Sequence, residues 1–164
     1  DSGMDKWVEH VAKQDFEGVA VGGSLGKSKK DMHEILDWVM HLLPENKPRH
    51  LLGIGDIDDL FEGVSRGIDT FDCVAPTRMA RRGTMFISPA SGGSMKNKFR
   101  LNIKNREFMK DKKPVDKNCN CHTCKNYTRA YLNHLFRVGE YSYSRLASIH
   151  NIHFLLQLME NILV

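Results

Sequence analysis

Long apolar runs are missing from this chain: no stretch of its 164 residues approaches the ~20 consecutive hydrophobic residues that a membrane-crossing helix needs. No charged start followed by an apolar core marks a secretory leader, so a soluble cytoplasmic protein is expected. Cysteine is scarce too. There are 4, with Cys73 far from the rest, which argues against a disulfide scaffold and suits a reducing compartment. The G-x-G-x-x-G fingerprint of dinucleotide folds is also absent, since Gly22-Gly-Ser-Leu-Gly26 does not supply it. The net charge of +4 is modest, but the basic residues bunch in 78–82, 96–113 and 117–137, which makes a polyanionic partner reasonable, with a solvated basic face the equal reading from charge alone. The chain begins on Asp1 and ends on apolar residues, and is expected to be a piece of something longer.

Three of the four cysteines crowd into Cys119-Asn-Cys121-His-Thr-Cys124. Three thiols so close in sequence meet at one point if a soft cation holds them, and a structural zinc ion prefers four tetrahedral thiolate or imidazole ligands. His122, His134, His150 and His153 are the available fourth ligands. His122 lies inside the knuckle and would strain the chelate. His150 or His153 would let the metal tie two elements together, and His150 is preferred. A redox Cys-x-x-Cys pair is the weaker alternative.

Upstream, apolar periodicity predicts a short helix over 4–14, with Trp7, Val8 and Val11 on one face, and a buried strand over 16–21. A glycine loop, 22–26, leads into a helix over 29–43 that starts at a capping-box pattern, Ser28 with Asp31, and buries Met32, Ile35, Leu36, Val39, Met40 and Leu43. Pro44 and Pro48 stop it. A second strand, 50–54, precedes a helix over about 57–66, with Asp56 as cap and Gly67 just past its end. The third strand covers 68–74 and is followed by a loop carrying Arg78, Arg81 and Arg82.

Strands alternating with helices of this length predict a parallel βαβαβ unit, open to both doubly wound and (β/α)8 folds. In either fold, ligands sit beyond the carboxyl ends of the strands. Those ends here carry Gly22 with Gly23, Gly53 with Gly55, and Asp72. Glycines let a flat ligand approach the backbone, or serve simply as tight turns. Alternation puts Ile68, Thr70 and Asp72 on one face of the third strand and Asp69, Phe71 and Cys73 on the other. Asp72 is therefore placed for chemistry as nucleophile, base or anchor. Asp69 is expected to pair near the strand start, and Cys73 to pack.

The run Gly67-Ile-Asp-Thr-Phe-Asp-Cys-Val-Ala-Pro-Thr-Arg-Met-Ala-Arg81, then Cys119-x-Cys121-x-x-Cys124, Arg129-Ala-Tyr-Leu132 and His150-Asn151, resembles the C-terminal half of tRNA-guanine transglycosylase, from about residue 15 onward. The resemblance implies an α/β fold: strands six to eight of a (β/α)8 TIM barrel, with an inserted zinc-binding subdomain. It implies exchange of the wobble guanine in the tRNA anticodon loop for a 7-deazaguanine such as preQ1 or queuine, through a covalent intermediate on Asp72. Gly22 and Gly23 match the turn that meets the base, and Leu52 stands where the family usually places Met against it. Arg78 and Arg81 match positions that read the flanking uridines, and Lys104 lies in a segment like one that grips RNA. Cys119, Cys121, Cys124 and His150 match the four zinc ligands. A homodimer is implied as well.

Three departures stand out. The loop 22–27 is about one residue short and has Lys27 where the family has Glu, beside the 7-substituent of the base. Residues 89–99 read as a flexible basic insertion. The barrel's first five strands, with a second aspartate and an aromatic stacking partner, are not in this chain, whereas a whole barrel takes roughly 250 residues. The expected organisation is a partial barrel over 1–86, a zinc subdomain over 87–149 with a long helix over 125–148, and a final helix over 150–164. The alternative to a catalytic portion is a non-catalytic, zinc-containing RNA-binding or partner subunit.

Overall fold

The computed structural model describes residues 2–23 and 25–162; Ser24 of the glycine loop and the last two residues of the expected final helix lie outside them. The chain divides into two compact units, Asp1–Cys73 and Val74–Val164. The division falls before the boundary at 86 drawn from sequence.

The first unit runs α1 (Ser2–Ala12), β1 (Val19–Val21), α2 (Lys29–Met40), β2 (Arg49–Leu51), α3 (Ile57–Ser65) and β3 (Thr70–Phe71). The strands form a parallel sheet in the order β1-β2-β3, with Val21 level with Leu51 and Leu51 level with Phe71. All three are shorter than expected. Gly23 and Gly53 turn the backbone into the left-handed region, at φ 85° and 74°, two residues after the last paired residues of β1 and β2. The capping box of α2 is present: the Ser28 hydroxyl accepts from the Asp31 amide at 3.2 Å, and the Asp31 carboxylate accepts from the Ser28 amide at 3.2 Å. Met32, Leu36, Val39 and Met40 on α2 bury against Val19, Val21, Leu51 and Ile68. At about 1.5–3 kcal/mol for each fully buried large side chain, this face outweighs any propensity term in α2. Asp56 does occupy the N-cap of α3, but its side chain makes no capping hydrogen bond. It lies 3.8 Å from Lys29 Nζ, which also meets Asp58 at 2.6 Å and Asp59 at 2.8 Å. Asp69 pairs as expected, accepting from the Arg49 amide at 2.8 Å.

The second unit departs further from expectation. The arginine loop is a helix, α4 (Ala75–Arg81), because Pro76 sits in its first turn, where no amide partner is needed. β4 (Thr84–Phe86) and β5 (Arg100–Asn102) form an antiparallel hairpin. The basic insertion is its tip and is held by its own bonds: Asn97 Oδ1 accepts from the Ser94 amide at 2.8 Å, and Asn97 Nδ2 donates to the Gly92 carbonyl at 2.8 Å. The expected long helix is three: α5 (His122–Asn126), α6 (Arg129–Arg137) and α7 (Tyr141–Ile162). Gly139, at φ 75°, turns the chain between the last two. The last helix thus begins at Tyr141, not 150. Along its C-terminal half, Ile152 and Leu156 are exposed and Leu155, Met159 and Ile162 half-buried.

The core of this unit joins Met85 and Ile87 of the hairpin arm to Leu101, Ile103, Leu132, Leu135, Tyr143 and Leu146. Asn151 fastens α7 to it: Oδ1 accepts from the Phe86 amide at 3.0 Å, while Nδ2 donates to the Pro76 and Thr84 carbonyls at 3.0 and 3.1 Å. The side chain is fully buried. Replacing Asn151 by Leu strands a buried amide and two carbonyls, so unfolding of the chain in denaturant should show a loss of about 3 kcal/mol or more. Equal midpoints for the variant and the natural sequence would show that these bonds contribute little.

Candidate functional site

Two sets of side chains carry chemistry. The first is built where α5 begins. Cys121 is the N-cap of α5, its sulfur accepting from the Cys124 amide at 3.4 Å, so the turn itself brings the second and third cysteines to one side. From α7, His150 enters with Nδ1 at 3.5, 3.6 and 3.3 Å from the sulfurs of Cys119, Cys121 and Cys124. A tetrahedral ion with thiolate and imidazole bonds of about 2.3 and 2.0 Å requires sulfur–nitrogen edges of about 3.5 Å. The donor set therefore fits such an ion. All four ligand atoms lie within 4.8 Å of one another, and Cys121, Cys124 and His150 are buried.

His150 Nε2 meets the Phe86 carbonyl at 2.7 Å. A carbonyl only accepts, so Nε2 carries the proton and Nδ1 turns its lone pair toward the sulfurs, the usual arrangement behind a metal-bound histidine. The Cys119 and Cys121 sulfurs push the Cys124 thiol up, and burial adds to this; Cys121 moves down because its neighbours' protons stabilise its charge. A divalent cation would relieve this crowding by replacing the shared protons. His153, the alternative fourth ligand, is not in the cluster.

Beneath the knuckle lies a carboxylate that sequence reasoning overlooked. Asp116 is 1% exposed. It accepts from the Ser88 amide and hydroxyl, from the Ser91 hydroxyl at 3.1 Å and from the Asn118 amide at 2.9 Å. Burial pushes its carboxyl up, but these donors outweigh burial and hold it below the ordinary range. Its stabilising contribution is thus complete above the unfolded value of about 3.9 and is lost as pH falls through the lower native value. Asp116→Ala should cost about 2–3 kcal/mol at pH 7, with the difference from the natural sequence shrinking as pH falls below the unfolded value of about 3.9 in pH-dependent denaturation.

The second set lies at the carboxyl ends of the parallel strands. Register places Gly22, Leu52 and Asp72 in one row, each a residue past the level trio Val21, Leu51 and Phe71. A Cβ on Gly22 would stand 2.6 Å from Leu52 Cδ1, so only glycine leaves this surface flat. Leu52 is 46% exposed, available as an apolar wall. Asp72 Oδ1 accepts from the Gly53 amide at 3.0 Å and faces His50 Nε2 at 3.2 Å. The Gly53 amide first, and then His50, hold the Asp72 carboxyl below its usual range, although the side chain is solvent-exposed. Sequence reading missed His50, yet strand alternation contained the signal, since His50 pairs level with Thr70 and both share the Asp72 face. Cys73 packs as expected, its sulfur filling the space that a side chain on Gly55 would need.

In the second unit, Arg78 and Arg81 stand three apart on α4 and are exposed. Lys104 is exposed too, but its Nζ lies over the Phe136 ring at 5.2 Å, a cation–π contact that holds it near α6. Arg129 belongs to the frame: Nη2 donates to the Val115 carbonyl at 2.8 Å and Nη1 pairs with Asp111 at 3.2 Å. Among the described residues, no helix is long and apolar enough to cross a membrane.

Residues 4–163 match the family model described as "Queuine tRNA-ribosyltransferase". A protein of Archaeoglobus fulgidus is 57% identical over 158 residues, covering 96% of this chain and 39% of its own length. The queuine tRNA-ribosyltransferases of Thermoanaerobacter sp. (strain X514) and Bacillus subtilis (strain 168) are 48% and 49% identical, covering 94% and 90% of this chain and 39% and 37% of their own lengths. The chain thus spans about two fifths of the length of these relatives.

Proposed function

Because the chain belongs to the queuine tRNA-ribosyltransferase family and corresponds to the C-terminal part of its longer members, we propose that it is the C-terminal portion of a tRNA-guanine transglycosylase. On this reading its three parallel strands are strands six to eight of a (β/α)8 barrel, and the second unit is the inserted zinc subdomain followed by the final barrel helix. The enzyme exchanges the wobble guanine in a tRNA anticodon loop for a 7-deazaguanine. Asp72 is the nucleophile, forming an ester with the ribose anomeric carbon while the base leaves. Gly22 and Gly23 meet the incoming base through their backbone, and Leu52 covers one of its faces. Cys119, Cys121, Cys124 and His150 hold a structural zinc ion, which supplies folding free energy rather than chemistry.

The observation that carries the reading is the row Gly22, Leu52, Asp72: a flat, apolar-walled floor with one ionised carboxylate at its edge. A homodimer through the second unit is supported by exposed Tyr131, Val138 and Tyr141. Lys27 in place of a glutamate removes the carboxylate that would favour a cationic 7-substituent. The Asp72 carboxylate with its two donors favours a catalytic portion over a non-catalytic partner subunit.

The RNA partner is tested by binding of an anticodon stem-loop to the full-length enzyme. Affinity should fall steeply with salt, with a log–log slope of about −0.7 for each single-strand phosphate contact. Arg78→Ala and Arg81→Ala should narrow the preference between loop sequences, whereas Lys104→Ala should weaken all RNAs alike. Affinity that is indifferent to salt would remove RNA as the partner.

A further inference from the structure

The imidazole beside Asp72 is held from both sides. His50 Nδ1 lies 2.8 Å from Thr70 Oγ1, and Nε2 lies 3.2 Å from Asp72 Oδ1. A carboxylate only accepts, so the nitrogen facing Asp72 carries the proton, and in the neutral ring the other nitrogen accepts from the Thr70 hydroxyl. Thr70 thereby selects the tautomer. Strand register makes this arrangement rigid, because His50 and Thr70 are level partners across β2 and β3 and Asp72 follows two residues on. The Gly53 amide, 3.0 Å away, reaches the same oxygen, Oδ1. Two donors therefore converge on one carboxylate oxygen and fix the plane of the group. Among the described residues, no protein hydrogen bond reaches Oδ2.

We infer that His50, oriented by Thr70, is a positioning residue that turns Oδ2 of Asp72 toward the substrate as the attacking atom. The inference rests on Asp72 being the nucleophile. In the first step the bond from Oδ2 to the anomeric carbon forms as the carbon–nitrogen bond to guanine breaks. The electron pair leaves with the base, which takes a proton from water. Oδ1 then becomes the ester carbonyl and keeps both donors. In the second step the incoming base displaces the carboxylate, losing its own proton to water, and the negative charge returning to Asp72 is received by the same two donors. An oxygen already carrying two hydrogen bonds is the poorer nucleophile of the pair, so this arrangement separates the attacking oxygen from the charge-stabilised one.

The test uses the full-length enzyme and single-turnover formation of the denaturation-resistant tRNA adduct, with tRNA affinity measured alongside. The amide of glutamine reaches the place of Nε2, whereas that of asparagine reaches only the place of Nδ1. His50→Asn should therefore slow adduct formation about 10–100-fold with tRNA affinity little changed, and His50→Gln should recover most of the rate. Thr70→Val, which keeps shape but loses the hydroxyl, should slow it by a few-fold. Equal rates in His50→Asn and His50→Gln, or a loss confined to tRNA affinity, would overturn the inference. If His50→Asn proves unfolded by circular dichroism, a natural rate in Thr70→Val would overturn it instead. Asp72→Asn separates the two levels: an adduct in that variant removes the nucleophile reading, while its absence together with unaffected His50 variants removes only the positioning role.

Discussion

Replacing Asp72 by Asn in the full-length enzyme should lower base exchange at least about a thousandfold while leaving tRNA affinity near its natural value. The amide keeps the shape and can still face Gly53, but it has no charge with which to attack the anomeric carbon. No RNA adduct should survive a denaturing gel. Asp69→Asn is the matched control, because Asp69 lies on the opposite face and is occupied by the Arg49 amide. It should form the adduct normally. The reaction's pH dependence follows from the same contacts. The Gly53 amide and His50 hold the Asp72 carboxyl below its usual range, so the nucleophile is ionised at every pH above about 4, and acidification from pH 7 to pH 5 should remove none of it. An adduct in Asp72→Asn that matches the natural yield would transfer the role to another carboxylate.

The second large effect concerns the metal. The purified chain should contain about one zinc ion, and Cys121→Ser or His150→Ala should abolish its retention. Apparent binding free energies of structural zinc sites are about 10–16 kcal/mol, and that energy is folding energy for the segment that the ion closes. The segment around α5 has little else. It is a five-residue helix whose buried residues are Thr123 and the ligand Cys124. Loss of the ion should therefore open the turn around α5 first, while the α2 and β1 amides of the first unit stay protected in hydrogen exchange. His153→Ala should leave the metal in place. Full zinc content in His150→Ala would show that the fourth ligand was misassigned.

How much of this was legible in the sequence depended on the range of the interactions. The first unit was read in full order because its signals are local: Ser28 with Asp31, the apolar face of α2, and glycines within two residues of the ends of β1 and β2. The cluster of Cys119, Cys121, Cys124 and a histidine was legible because cysteine has few other reasons to crowd, whereas a later helix alone left both His150 and His153 open, and only the packed structure puts His150 in the group. The second unit was harder. The hairpin of β4 and β5 pairs Met85 with Leu101 across a turn that looks like a linker, and its Asn97 bonds leave no periodic trace. Tyr127, Tyr131 and Tyr143 are spaced as though on one helix, yet extended backbone at Tyr127 and Thr128, the cap of α6, and then Gly139 break the chain into three. Asp116 and Asn151 were invisible as frame residues because their partners lie up to 75 residues away. His50 was a different omission. Its role follows from strand alternation alone once β2 and β3 are aligned level.

Ile152 and Leu156 are exposed on α7, and Gly22, Leu52 and Asp72 are exposed at the carboxyl ends of the three strands.

The central claim, that Asp72 is the nucleophile on a ribose carbon, is tested most directly by peptide mapping of the trapped adduct. The full-length enzyme is incubated with tRNA and a guanine analogue, denatured, and digested with nuclease and protease before mass spectrometry. The account predicts a ribose-containing mass increment on the peptide carrying Thr70, Phe71, Asp72 and Cys73, with fragmentation placing it on Asp72. An adduct mapped to any other residue, with the Asp72 peptide unmodified, would contradict it.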